Sequence, residues 1–404
     1  MLLKKYPIAF KPVCLLWLAV SVAMWGFKYF NNRYNNYLIF KYVYYHTIAH
    51  KNLYNFYPLE YGDSNHYGPV FSVIIAPFAL LPDAVGLLLW NLLNAGLLLW
   101  AISLLPISNR QKTFVALLSS LEFAAAEHYI QFNAVITAFI IFSFILVNKE
   151  KDHWATLFIA LGALIKLYPV IGLAFFMFSR HKKRFILSGL FWLALFFVLP
   201  MLISSRQFVL QSYADWYASL HEKVGLNIDF TSSQDISVMG TVRRLTHNVN
   251  LPNLPFVIIG AVIFAVPLFR FSQHHSMSFK LCTLAAALLT VVLFSSGSEH
   301  PTYIIAAVGA MLWLMLQEKP FAGYHLVLLI LFLLITGLGP TDAFPKTIRH
   351  EYINTYVMKA WPCILIWVTL SWQLWLKNFT ADAGSHQAEV QPAQALASYM
   401  TEQA

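Results

Sequence analysis

Apolar runs about twenty residues long recur along this chain, and that is the length a helix needs to cross the hydrocarbon of a bilayer. They lie at 10–28, 69–82, 84–105, 113–130, 132–148, 154–179, 185–205, 254–271, 278–296, 303–317, 321–339 and 357–377. Inside lipid each segment must satisfy its own backbone hydrogen bonds, so helices are the expected structure. The fold class expected is all-α: a polytopic integral membrane bundle of about ten to twelve transmembrane or re-entrant helices. Composition agrees, because only 11% of residues are charged and 59% are hydrophobic, against roughly a quarter charged in soluble proteins. The net charge of +9 in a soluble chain would point to nucleic acid. Here the basic residues gather at helix ends, as the positive-inside preference requires, and no nucleic-acid partner is expected. Cys14, Cys282 and Cys363 sit in apolar runs at unrelated spacings, which supports neither a disulfide framework nor a zinc site.

Basic clusters set the expected topology. Lys4, Lys5 and Lys11 flank the first run, which lacks a small-x-small cleavage site and reads as a retained helix. Arg110 with Lys112, Lys149 with Lys151, the RHKKR at 180–184, and Lys377 read as cytoplasmic. Segments 206–252, 297–302 and 340–356 then share the outer side with the polar loop 28–68. Because 154–179 begins and ends on the basic side but is too short for two crossings, two half-length helices meeting near Lys166 and Pro169 are expected. Such a break is tolerated where protein or a cavity covers it. One segment of 69–105 should enter only partly. Residues 1–377 form the membrane domain, and 378–404, polar and rich in small residues, read as a disordered cytoplasmic tail.

The exception to the apolar pattern is 28–68, KYFNNRYNNYLIFKYVYYHTIAHKNLYNFYPLEYGDSNHYG. Its Tyr and Phe content suits the membrane–water interface. It has no Gly-rich turn of dinucleotide-binding type, and it carries Glu60 and Asp63. This loop is expected to hold chemistry at the outer face while the helices hold the loop.

Several stretches resemble glycosyltransferase family 87, the polyprenyl-phosphate-sugar-dependent enzymes of the GT-C superfamily. They are NNYLIFKYVYYHTIAHKNLY, HYGPVFSVIIAPFALLP, QFNAVITAFIIFSFILVNKEK and ALIKLYPVIGLAFFMFSRHKKR. Their order and spacing cover most of 10–315. The resemblance implies a mannosyltransferase-like membrane protein that takes a hexose from a lipid monophosphate. It also implies an Asp near the start of the first outer loop as base. The comparable position here is Asn36, preceded by Asn35, and an amide cannot take a proton. The base is then expected at Asp63, with Glu60 next, unless activity has been lost.

Sugar transfer from a lipid phosphate needs a base for the acceptor hydroxyl and cations for the charge gathering on the leaving phosphate. Lys166, inside an apolar run, either holds that phosphate or forms a structural pair with Glu122. Tyr168 beside it, and Asn36 and Tyr67 in the first loop, are candidate substrate contacts. Glu299 and His300 lie in a short outer turn, where His300 either meets the phosphate, shuttles a proton or is simply solvated. Gln131 and Asn133 are candidate sugar or acceptor contacts, or interhelical hydrogen-bond partners along with Glu127. Arg243 and Arg244 run against the positive-inside trend and are candidates for phosphate binding or for interface anchoring; Lys346 and Arg349 read equally as a turn neutralised by Asp342 and Glu351. No Asp-x-Asp motif occurs, one phosphate can be neutralised by Lys or Arg, and neither a metal nor another cofactor is expected. The main reading is an inverting hexosyltransferase, with mannose the sugar expected, in a bacterial inner membrane. Its partners are a polyprenyl-phosphate sugar donor and a lipid-linked or cell-envelope glycan acceptor. The alternatives are a flippase for lipid-linked sugars, whose site would lie near mid-membrane, and an inactive scaffold.

Overall fold

A computed structural model describes residues 9–230, 232 and 234–380. Among them the secondary structure is helical throughout, with no strand. The order begins α1 (Phe10–Phe30), α2 (Asn35–Ile48), α3 (Phe71–Ala79), α4 (Asp83–Ser103), α5 (Asn109–Leu118), α6 (Ser120–His128), α7 (Asn133–Asn148) and α8 (Asp152–Ile165). A 3₁₀ run, Tyr168–Phe178, leads to α9 (Lys182–Val198) and α10 (Arg206–Ile228). The remaining helices are α11 (Val238–Thr246), α12 (Asn253–Ala265), α13 (Met277–Leu293), α14 (Tyr303–Met315), α15 (Gly323–Leu331), α16 (Lys346–Ile348) and α17 (Ala360–Leu376).

Three helices, Phe10–Phe30, Asp83–Ser103 and Lys182–Leu202, are long and apolar enough to cross a membrane, and eight shorter apolar ones accompany them. Every residue of α14 is buried, as is nearly all of α7 and α13. A helix apolar all round belongs in the centre, and these three form it. By contrast α9 buries only Phe185, Ser188 and Phe196 and leaves Leu187, Leu190 and Phe191 exposed, an apolar outer face of the kind that suits lipid.

The expected breaks resolve in detail. The run 69–82 contains only the nine residues of α3, too few to cross, so 69–105 makes a single crossing through α4. The run 113–130 is not one helix but α5 and α6, divided at Ser119. Ser120 turns its hydroxyl back to Ala116 O (3.1 Å) and accepts a bond from Trp17 Nε1 (3.0 Å), the kind of local side-chain bond that bends helices. The run 154–179 is two half-length pieces, with α8 ending at Lys166 in extended conformation (φ −152°, ψ 126°) and Pro169 opening the 3₁₀ run. Gly162 makes this return possible, because a Cβ there would stand 2.5 Å from Pro169 Cγ.

The bundle has two chemically different ends. At one, Arg180 pairs with Glu150 (2.7 Å), Lys377 with Glu318 (2.9 Å), and Gln111 Nε2 donates to Met315 O (2.7 Å). The expected cytoplasmic basic clusters therefore sit together. α7 and α8 run between this end and the one where the first loop, the α6–α7 turn, Lys166 and 295–299 meet. The length of α7 separates the two by roughly 24 Å. The tail boundary moves: Phe379 is buried, packs edge-on against Phe279 and donates its backbone N–H to Gln273 Oε1 (2.7 Å), so 378–380 pack with the bundle. The rest of the tail, like Lys4 and Lys5, lies outside the described residues.

Candidate active site

The first loop is a folded piece. α2 packs on α3, with Tyr37 Oη donating to Phe78 O (2.9 Å) and Lys41 bonded to Asp83 (2.5 Å). From α2 the chain returns as an irregular strap, 49–70, pinned by Gly62 N donating to Asn35 Oδ1 (2.7 Å). The strap ends where Gly68 N donates to Ile165 O (3.0 Å). A Cβ on Gly68 would lie 1.9 Å from Leu164 O, so only glycine permits this approach of the loop to the end of α8. α10, read in sequence as part of a long outer segment, is a 23-residue helix laid along the strap. Trp216 Nε1 donates to His66 O (2.9 Å), and Asn52 Nδ2 donates to Asp215 Oδ2 (2.8 Å).

Between strap, α8 end, α10 and the 295–299 turn lies a cavity of about 420 Å³. Its wall includes Asn36, Asp63, Tyr67, Gln131, Lys166, Tyr168 and Glu299 of the residues expected from sequence. It also includes His66, Trp216, Lys223 and Asn227, which sequence reasoning missed. Lys166 Nζ donates to Asn133 Oδ1 (2.9 Å) and stands 5.6 Å from the Tyr67 ring centre and 5.2 Å from that of Tyr168. Asn133 itself does not line the cavity; it aims the lysine. Tyr67 Oη donates to Gln131 Oε1 (2.9 Å) and Tyr168 Oη to Gly297 O (3.3 Å), so both rings are fixed. Neither Lys166 nor Lys223 has a carboxylate within salt-bridge distance among the described residues. Asp63 is on the exposed rim, its Oδ1 accepting from Ser64 N (2.7 Å), and Glu299 is half-buried. His66 Nδ1 lies 3.0 Å from Ser219 Oγ. Burial, with Lys223 and Lys166 nearby, pushes its imidazole down to about 3, so the ring is neutral.

Four expected residues stand elsewhere. Glu60 does not line the cavity: its carboxylate is held by His46 Nε2 (2.5 Å) and Lys51 (3.6 Å), locking α2 to the strap. His300 opens the 3₁₀ turn His300–Thr302, away from the cavity wall, and the nearby charge acting on it is Lys359. Arg243 is fully buried, bonded to Asp235 (2.5 Å), Leu251 O and Asn253, so its fork is filled by the protein itself. Arg244 spends its Nη2 on Ser232 O (3.0 Å) and lies over Phe230, and it too is absent from the wall. The Lys166–Glu122 pair does not exist; Glu122 bonds Lys359 (2.8 Å) across α6 and α17. Glu127 is buried beside Ser21 of α1, the interhelical role. Asn36 does line the wall, but Nδ2 is occupied by Tyr129 O (2.7 Å). Lys223 carried a sequence signal, a cation on the outer side like Arg243; His66 carried only its place in the loop.

Among the described residues no group of three His, Cys, Asp or Glu is arranged to hold a metal ion. No curated protein and no solved structure matches the chain. Residues 65–296, which contain the strap's end, α8, α10 and most of the cavity wall, match glycosyltransferase family 87. With more than half its length matched and its all-helical membrane architecture, the chain belongs to glycosyltransferase family 87, a family of GT-C-like membrane enzymes.

Proposed function

We propose that this membrane glycosyltransferase moves a hexose, mannose being the first candidate, from a polyprenyl-phosphate donor to a lipid-linked or cell-envelope glycan. The reaction is inverting, and its place is the outer face of a bacterial inner membrane. The observation carrying this reading is the pair of ammonium groups, Lys166 and Lys223, lining one cavity with no carboxylate within salt-bridge distance among the described residues, and the carboxylate of Asp63 lining it too. The donor is a phosphodiester with one negative charge. When the bond from sugar C1 to the phosphate oxygen breaks, its electron pair stays on the phosphate, whose charge becomes two. Two lysines therefore match the departing phosphate better than the bound donor, and that difference lowers the barrier. Asp63 takes the proton of the attacking acceptor hydroxyl as the new C1–oxygen bond forms, then releases it to water at the open rim. Tyr67, Tyr168 and Gln131 bound the space left for the sugar, with Asn36 beside them.

The test is transfer by the purified full chain in nanodiscs, using tritiated polyprenyl-phosphate hexoses and membrane acceptors. The expected result is glycoside formation that Lys166→Ala suppresses. Lipid-linked sugar crossing vesicles without transfer would instead support a flippase, and neither activity with any donor would support an inactive scaffold.

A further inference from the structure

His66 is the cavity group to which the reaction above gives no role. Its placement is unusually well defined. α10 fixes the main chain through Trp216 Nε1 on His66 O (2.9 Å) and fixes the ring through Ser219 Oγ on Nδ1 (3.0 Å). The ring's other nitrogen, Nε2, has no hydrogen-bond partner among the described residues, and the residue lines the cavity that Lys166 and Lys223 line. We propose that His66 is a third ligand of the donor's phosphate, donating from Nε2–H to a phosphate oxygen alongside the two ammonium groups. This deepens, and rests on, the lipid-phosphate reading.

The chemistry of a neutral imidazole supports the assignment. One ring nitrogen donates and the other accepts. A phosphate oxygen only accepts, so the compatible tautomer is Nε2–H, with the Ser219 hydroxyl donating to Nδ1. Burial, and after it the two lysines, keeps the ring uncharged. A neutral donor therefore adds a directional bond without placing a third positive charge beside two others. Asp63 and Glu299 share the wall and repel a phosphate, Glu299 lying near enough to Lys166 to act on its charge, so the hydrogen-bond donors of the two lysines and His66 are what can hold the anion. α10 thus supplies a phosphate lysine and also sets the tautomer of a loop residue.

Farnesyl monophosphate, a short analogue of the lipid product, is the probe, with inorganic phosphate as the second arm. Binding is measured on the full chain in detergent by calorimetry. His66→Ala should weaken farnesyl phosphate about tenfold or more, as expected for a hydrogen bond to a charged group. His66→Gln, whose side-chain amide can donate in place of Nε2–H, should stay within about threefold of the unaltered chain. Should His66→Ala not fold, His66→Phe keeps the ring volume without the donor and carries the same expectation as His66→Ala. An equal proportional loss for inorganic phosphate supports contact with the anion; a loss confined to farnesyl phosphate overturns it, because His66 would then touch the chain. Unchanged affinity in His66→Ala, or His66→Gln as weak as His66→Ala, also overturns it. If Lys166→Ala weakens the probe and His66→Ala does not, this inference alone fails. If the unaltered chain binds no farnesyl phosphate, the lipid-phosphate reading fails with it.

Discussion

Two regions of the molecule carry rare charges, and they use them in opposite ways. In the knot between 235 and 253, Arg243 is fully buried and its donors are consumed by Asp235, Leu251 O and Asn253. In the cavity, Lys166 is held by a neutral amide and two aromatic rings, and Lys223 has no carboxylate within salt-bridge distance among the described residues. The first arrangement is closed: nothing further can bind. The second leaves two ammonium groups without a direct ion pair among the described residues, with only Glu299 acting on Lys166 from beyond salt-bridge distance, so their donors are free to meet an anion. The comparison shows that an unexpected charge marks a site only when the fold leaves it unsatisfied; the buried Glu122–Lys359 pair falls with the knot.

Substitutions on the two sides of this comparison should separate cleanly. Arg243→Ala leaves Asp235 buried without its partner and should cost about 3–5 kcal/mol of stability. It should be read as loss of folded protein in thermal unfolding, with normal specific activity in whatever remains. Lys166→Ala should do the reverse, lowering kcat/KM for the lipid donor about a hundredfold with little change in melting temperature. Equal melting losses in both variants would break the distinction. Gly68→Ala drives a Cβ into Leu164 O, displacing the strap from the end that holds Lys166. An intermediate outcome is expected, a rate loss of about tenfold together with about 1–3 kcal/mol of destabilisation. The smallest effect is on pH. His66 and His300 are each pushed down to about 3 by burial, below the unfolded value of about 6.5. The unfolded chain therefore binds more protons in that window, and stability falls as pH drops from about 6.5 towards 3. His66→Gln should make the acid-side slope shallower by roughly one proton, measured by unfolding across pH.

Much of the membrane architecture was legible because hydrophobic length and basic flanks report directly on the bilayer. The return at Lys166 could be reasoned out from the run's length and from Pro169, and the structure bears out both half-length pieces. That one segment of 69–105 enters only partly followed from the crossing count; that it is the nine-residue α3 did not. What sequence did not show was α10: its polar and apolar residues mix, and its inward face, Trp216, Ser219, Lys223 and Asn227, becomes meaningful only against the strap. Asp63 and Glu60 looked alike in one loop, three residues apart. Nothing local distinguishes them, because Glu60 is claimed by His46 from the other arm of the loop. Arg243 misled for the same reason, since its partner Asp235 lies just before the start of α11 and only the folded helix brings the two together.

That contrast between two carboxylates of one loop gives the most direct test. The initial rate of sugar transfer from a polyprenyl-phosphate donor should be measured for Asp63→Asn and Glu60→Gln at equal amounts of folded protein. Asp63→Asn should lose activity by about a factor of 10²–10⁴, the usual worth of a general base, while Glu60→Gln keeps most of it. A fully active Asp63→Asn chain would contradict the account.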